Sequence, residues 1–159
     1  MLIGKVRNWL WKFYTWREGN RFSIGVFGAI FDEKGRILLV RQRGREKFGL
    51  PGGGVSQRDC SSSDGEVVFG RALMRELKEE LGITRFLSII GGKNFPSSKL
   101  KDLAIVYVVR IEDGAYVRAL SEIAQIRYVT REGFEAQTLP IVGPRMTRML
   151  EWAFEQMEN

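Results

Sequence analysis

The chain contains no histidine, one cysteine and four prolines in 159 residues. Without histidine it lacks the commonest metal ligand and the commonest general base near neutral pH, so metal or acid–base chemistry must rest on carboxylates, lysine, tyrosine, water or the single thiol. One cysteine, Cys60, excludes an internal disulfide. No apolar run reaches the ~18 residues of a membrane-spanning helix. The first seventeen residues interrupt their apolar positions with Lys5, Arg7, Lys12 and Arg17, unlike the continuous apolar stretch of a secretory signal. A cytoplasmic protein with no integral membrane segment is the expectation.

Apolar residues make up 44% and charged residues 28%, the balance of a globular domain, and the length suits one core. A formal charge of +6 attracts polyanions in general, whether nucleotide, nucleic acid or anionic lipid, and does not choose among them.

Leu2, Val6, Leu10, Phe13 and Trp16 recur at helical spacing among basic residues, which predicts an amphipathic helix within residues 1–20, packed on or appended to a domain over 21–159. Docking on a membrane surface and a homodimer contact are its other uses. Phe22 to Phe31 and Ile37 to Arg43 flank the turn residues Asp32-Glu33-Lys34-Gly35 and read as a hairpin. A Gly-rich loop, Gly49 to Gly54, precedes a polar stretch, Ser56 to Gly65, that reads as a flexible insertion. Val68 to Leu81 places Leu73, Leu77 and Leu81 at i, i+4, i+8 and ends at Gly82, which predicts a helix. Arg85 to Ile90, Leu103 to Ile111 and Ile123 to Val129 read as strands and Val142 to Glu158 as a closing helix, a mixed α and β order without internal repeats.

At about 100° per residue, Glu76, Glu79 and Glu80 share one arc of the predicted helix, beside the arc of its leucines. Three carboxylates within a turn repel one another by a few tenths of a kcal/mol per exposed pair, roughly, and a cation converts that repulsion into binding. Mg²⁺, which prefers hard oxygen ligands and keeps waters and phosphate oxygens in its shell, suits such a set, with Mn²⁺ as a substitute. Taken alone, the helix also reads as a solvated acidic face balanced by Arg71, Arg75 and Lys78.

Upstream lies Pro51-Gly52-Gly53-Gly54, whose glycines let backbone approach a phosphate or an ion. Together with Arg75-Glu76-Leu77-Lys78-Glu79-Glu80-Leu81-Gly82-Ile83 it resembles the Nudix box: Gly, five residues, Glu, seven residues, then Arg-Glu-hydrophobic-x-Glu-Glu-x-Gly-hydrophobic. The second half matches at every specified position. Leu50 to Gly53, the hairpin Ile24 to Arg43 and the late segment Ser121 to Tyr128 are also similar to that family, so the resemblance covers roughly residues 23–130. It departs from the pattern in the loop: twelve residues separate Gly53 from Glu66, taken as the acidic match, and eight separate Glu66 from Arg75.

The resemblance implies an α/β fold, a Nudix-type α/β/α sandwich with a mixed β-sheet. It also implies a pyrophosphohydrolase that cleaves a phosphoanhydride bond by metal-activated water in a nucleotide-derived small molecule. A nucleotide sugar, ADP-ribose, a dinucleotide or a nucleoside triphosphate would serve as substrate. By position, Glu79 and Glu80 would bind metal, Glu76 would be a further ligand or the group that deprotonates water, and Arg75 would orient Glu79. Gly53 and Gly54 would bring backbone to the phosphates, and Glu66 would hold the loop or a second ion. Two alternatives use the same fold: removal of pyrophosphate from an RNA 5′ end, and non-catalytic nucleotide sensing.

Other residues are candidates on local grounds. Arg41 and Arg43, with Arg45 and Lys47, precede the Gly-rich loop and could reach phosphate or cover a solvated strand end. Glu122, Glu132 and Glu135 could add a ligand, though most such carboxylates are merely solvated. Phe48, Phe95 and Tyr107 are candidates for stacking on a base, or core residues. Cys60, among serines, reads as an exposed loop thiol.

Overall fold

The computed structural model describes residues 23–60, 65–97, 101–111 and 117–158; for 65–67 the description stops at the backbone. The expected N-terminal helix lies outside these residues, as does the side chain of Glu66.

A six-stranded mixed sheet organises the chain, in the order β4-β5-β1-β2-β6 with β3 also on β1. Its central strand, β1 (Ser23–Phe31), pairs in parallel with β5 (Asp102–Arg110) along its whole length. On its other edge the first half of β1 pairs with β3 (Gly52–Gly54), and its last residue, Phe31, faces Ile37 at the start of β2 (Ile37–Gln42). The turn closes because Asp32 Oδ1 accepts from the backbone N–H groups of Lys34 and Arg36, while Gly35 takes φ 68°. β6 (Ile123–Val129) runs antiparallel to β2 and β4 (Ser88–Ser97) antiparallel to β5.

One long helix covers each face. α1 (Gly65–Leu81) lays Leu73, Leu77 and Leu81 on Val26, Ile30, Leu38 and Val109, all fully buried. It ends where the sequence predicts, at Gly82 with φ 71°, whose N–H donates to the Lys78 carbonyl, while Ile83 N–H donates to that of Leu77. The short α2 (Arg131–Glu135) is capped by the Thr130 hydroxyl, and α3 (Gly143–Glu158) packs Leu150, Trp152 and Phe154 on the opposite face, where Phe31 meets Phe154 edge-on. The result is the expected α/β/α sandwich. No helix among the described residues is long and apolar enough to cross a membrane.

Three local expectations are corrected. The strand expected at Arg85 to Ile90 runs from Ser88 to Ser97: Gly91, Gly92 and Pro96 read as turn residues, yet β5 recruits them through a bulge after Ile89. Of the candidate stacking aromatics, Phe48 and Phe95 are core residues instead, while the half-buried Tyr107 ring packs on Gly92. The stretch read as a flexible insertion begins with an ordered 3₁₀ turn, Gln57–Cys60, in which Asp59 is buried. Cys60 itself is exposed.

Burial sets the cost of core substitutions. Leu77→Ala should lower stability by about 3 kcal/mol in urea denaturation, since Leu77 has no solvent exposure. Leu87→Ala, at a residue 58% exposed, should stay within about 0.5 kcal/mol of the parent.

Candidate functional site

The carboxylates of α1 face the Gly52–Gly54 strand, and two glycines make that approach possible. Gly52 takes φ 140°, and a Cβ there would lie 2.1 Å from the Val26 carbonyl oxygen. Its N–H donates to Glu80 Oε2 at 2.9 Å. At Gly53 a Cβ would lie 2.6 Å from the Glu76 carboxyl carbon, so Glu76 rests directly on backbone.

Burial grades the three acids. Glu80 is only 7% exposed, Glu76 has 16% of its side chain exposed and Glu79 has 56%. Desolvation pushes the Glu80 carboxyl up to about 7 against the donated Gly52 N–H, with help from the charges of Glu76, Glu122 and Glu79. Glu76 is raised by burial too, while its bond from Arg75 works the other way.

Arg75 binds more partners than expected. Its Nε and Nη2 donate to the two oxygens of Asp59 at 3.0 and 2.9 Å, its Nη2 also to the Gly54 carbonyl at 2.9 Å, and its Nη1 to Glu76 Oε1 at 2.7 Å. Glu79, the partner expected from helical spacing, lies farther off, at 3.6 Å. Asp59 is held from its other side by the N–H and hydroxyl of Ser56, and the Arg75 bonds bring its carboxyl down to about 2.

Sequence reasoning missed Asp59, although a signal was present. Five residues separate it from Gly53, the spacing the box assigns to its acid, and only the aspartate identity hid the match. Counted this way the added residues follow the acid, with fifteen between Asp59 and Arg75.

The remaining candidates fall in different places. Arg41 donates to Gln125 Oε1 and to the Arg45 carbonyl, and Arg43 donates to the Ser121 carbonyl, so both brace the end of β2. Arg45 and Lys47 instead line a cavity of about 880 Å³ that reaches Gly52. Glu122 is the outlying acid whose charge reaches Glu80. Glu135 pairs with Arg131 and lines a separate cavity of about 760 Å³ against α3, while Glu132 sits in the first turn of α2.

A NUDIX domain model matches residues 20–153. The chain belongs to the NUDIX domain family. Solved structures agree on the fold. A MutT protein from Methanosarcina mazei Go1 is 24% identical over 88% of this chain and 97% of its own, with a TM-score of 0.58. A bifunctional NMN adenylyltransferase/ADP ribose pyrophosphatase from Francisella tularensis is 14% identical over 94% of this chain, which spans about half of that protein (46%), with a TM-score of 0.69. The NUDIX domain of Shewanella oneidensis NrtR, complexed with ADP ribose, is 13% identical over 87% of each chain, with a TM-score of 0.60. Comparison with curated protein sequences yields no match.

Nudix hydrolases use divalent metal, and the residues here can be tested for fit. Among the described residues no three acidic or cysteine side chains converge into a closed ligand set. A closed set is not what Mg²⁺ needs, because it takes one or two carboxylates and completes its shell with water and phosphate oxygens. A buried carboxylate made costly by neighbouring negative charge, next to backbone stripped of side chains, fits that requirement.

The Asp59–Arg75 pair also has a signature in acid. Its folded carboxyl sits near 2 against an ordinary 3.8, so its stabilisation is whole above about pH 4 and is lost as the pH falls through 2. Asp59→Asn should cost about 2 kcal/mol at pH 7, and urea titrations should show the gap between variant and parent closing between pH 4 and 2.

Proposed function

We propose that this Nudix protein is a pyrophosphohydrolase that cleaves a phosphoanhydride bond in a nucleoside diphosphate linked to another group. The observation that carries the reading is Glu80, a nearly fully buried carboxylate one helical turn from Glu76, with Gly52 and Gly53 backbone laid against both. Such a cluster is costly unless a cation and its phosphate ligands occupy it.

In this reading Glu79 and Glu80 would hold the metal, Mg²⁺ or Mn²⁺. When bound it neutralises phosphate charge and lowers the pKa of water. Gly52 N–H orients Glu80 from behind. Glu76, which accepts from Arg75 Nη1, would take the proton of the attacking water, and no Ser, Cys or His nucleophile is required. Arg75 and Asp59 act through Glu76 as positioning residues. The +6 charge favours an anionic substrate. The similarity in fold to the Francisella ADP ribose pyrophosphatase and to the Shewanella NUDIX domain complexed with ADP ribose supports a nucleoside diphosphate derivative.

Product release from a panel of nucleoside diphosphate derivatives tests the proposal. Turnover should require Mg²⁺ or Mn²⁺ and vanish with chelator. Glu79→Gln or Glu80→Gln should lower it about a hundredfold or more, whereas Glu132→Gln, outside the cluster, should change it less than about twofold. A panel that is bound but not cleaved would point to a sensing module instead.

A further inference from the structure

The cavity of about 760 Å³ against α3 is a groove between α2 and α3, on the face of the sheet opposite the α1 carboxylates. Its floor is apolar: Leu139 and Ile141 are half-buried, and Phe134 stacks on the buried Phe154 with ring centroids 5.8 Å apart. On one wall charge is balanced, because Arg131 bonds both Glu135 and Glu158. The opposite wall is acidic. Glu151 and Glu155 stand there at i, i+4 on α3, both exposed, and Glu151 has no ion pair among the described residues. Like charges at that spacing repel. Negative charge toward a helix C-terminus is unfavourable as well, and the last turn of α3 has no basic residue to offset it. An apolar floor beside an acidic wall fits a partner with an apolar stripe flanked by cations.

Residues 1–20 of this chain have that chemistry. Leu2, Val6, Leu10, Phe13 and Trp16 recur at helical spacing, and Lys5, Arg7, Lys12 and Arg17 stand among them against a single acid, Glu18. We infer that this segment docks on its own domain in the groove between α2 and α3, its apolar stripe on the groove floor and its basic residues along Glu151 and Glu155. The start of β1 makes the reach short. Ser23 pairs with Asp102, whose carboxylate is held by Arg145 in the first turn of α3. The segment therefore leaves the sheet beside the start of α3, and a path along that 16-residue helix, roughly 24 Å, carries it past both glutamates. A tether this short gives the segment an effective concentration on the order of millimolar at the groove, which a second copy in dilute solution does not match.

Disulfide trapping in the full chain tests this, in a Cys60→Ser background that removes the exposed native thiol. Thr147→Cys, at a half-buried position lining the groove, is combined in turn with Val6→Cys, Leu10→Cys or Phe13→Cys. At least one pair should close within the monomer about tenfold faster than the same partner combined with Arg71→Cys, at an exposed position on α1 across the sheet. Adding Glu151→Lys should slow that closure about threefold or more at low salt, and the difference should shrink as salt is raised. Circular dichroism melting of each variant checks that the fold is retained. Equal rates with Thr147→Cys and Arg71→Cys overturn the inference, as do links that form only between chains, which would make the occupant a second copy. Closure insensitive to Glu151→Lys at low salt overturns the pairing of the basic residues with that wall. No trapping, with the full chain sedimenting on phosphatidylcholine–phosphatidylglycerol vesicles, overturns the inference in favour of a membrane surface.

Discussion

The Arg75 guanidinium joins the turn after β3 to the helix that carries the carboxylates. One planar group holds Asp59 with two donors, the Gly54 carbonyl with a third and Glu76 with a fourth. Lysine could supply the charge but not this geometry, because an ammonium is a point charge without a fixed fork. Removing the guanidinium would leave the buried Asp59 charge without its cation, and it would free the turn, the glycine strand and the carboxylate-bearing face of α1 to separate.

That joint makes an otherwise costly arrangement stable. Glu76 and Glu80 are drawn from water into mutual repulsion, and Glu80 has a single N–H from Gly52 in return among the described residues. The opposite side of the same helix offsets this. Leu73, Leu77 and Leu81 are fully buried against β1, β2 and β5, and that packing sets where the acids stand relative to Gly52 and Gly53. Stability and site share one helix, with apolar residues on one arc and carboxylates on the next.

The glycines complete the constraint. At Gly52 a side chain would strike the backbone of β1, and at Gly53 it would strike Glu76. The two positions exclude side chains for different reasons, one to let the strand pair and the other to let a carboxylate rest on backbone. Both tie the glycine strand beside the carboxylates to the central strand of the sheet.

Elements governed by local periodicity were legible without a structure. The three leucines at i, i+4, i+8 with Gly82 behind them located the end of α1, and the β-branched and aromatic residues Ile123, Ile126, Tyr128 and Val129 located β6 at Ile123–Val129. The carboxylate arc was legible because helical geometry alone brings Glu76, Glu79 and Glu80 together. What depended on distant partners was not. Gly91, Gly92 and Pro96 carry no strand signal and extend because β5 supplies the hydrogen bonds. Asp59 is an ordinary loop acid until Arg75, sixteen residues away, closes on it. The cavity beside Gly52 is likewise invisible until α3 brings Met146 to the Gly49–Leu50 backbone. The sequence by itself determined the family, the acids and the helix that presents them, since these follow from spacing along one element. Only the tertiary structure decided which cations and polar groups those acids and cavities meet, because such encounters depend on chain segments whose separation in sequence carries no periodic trace.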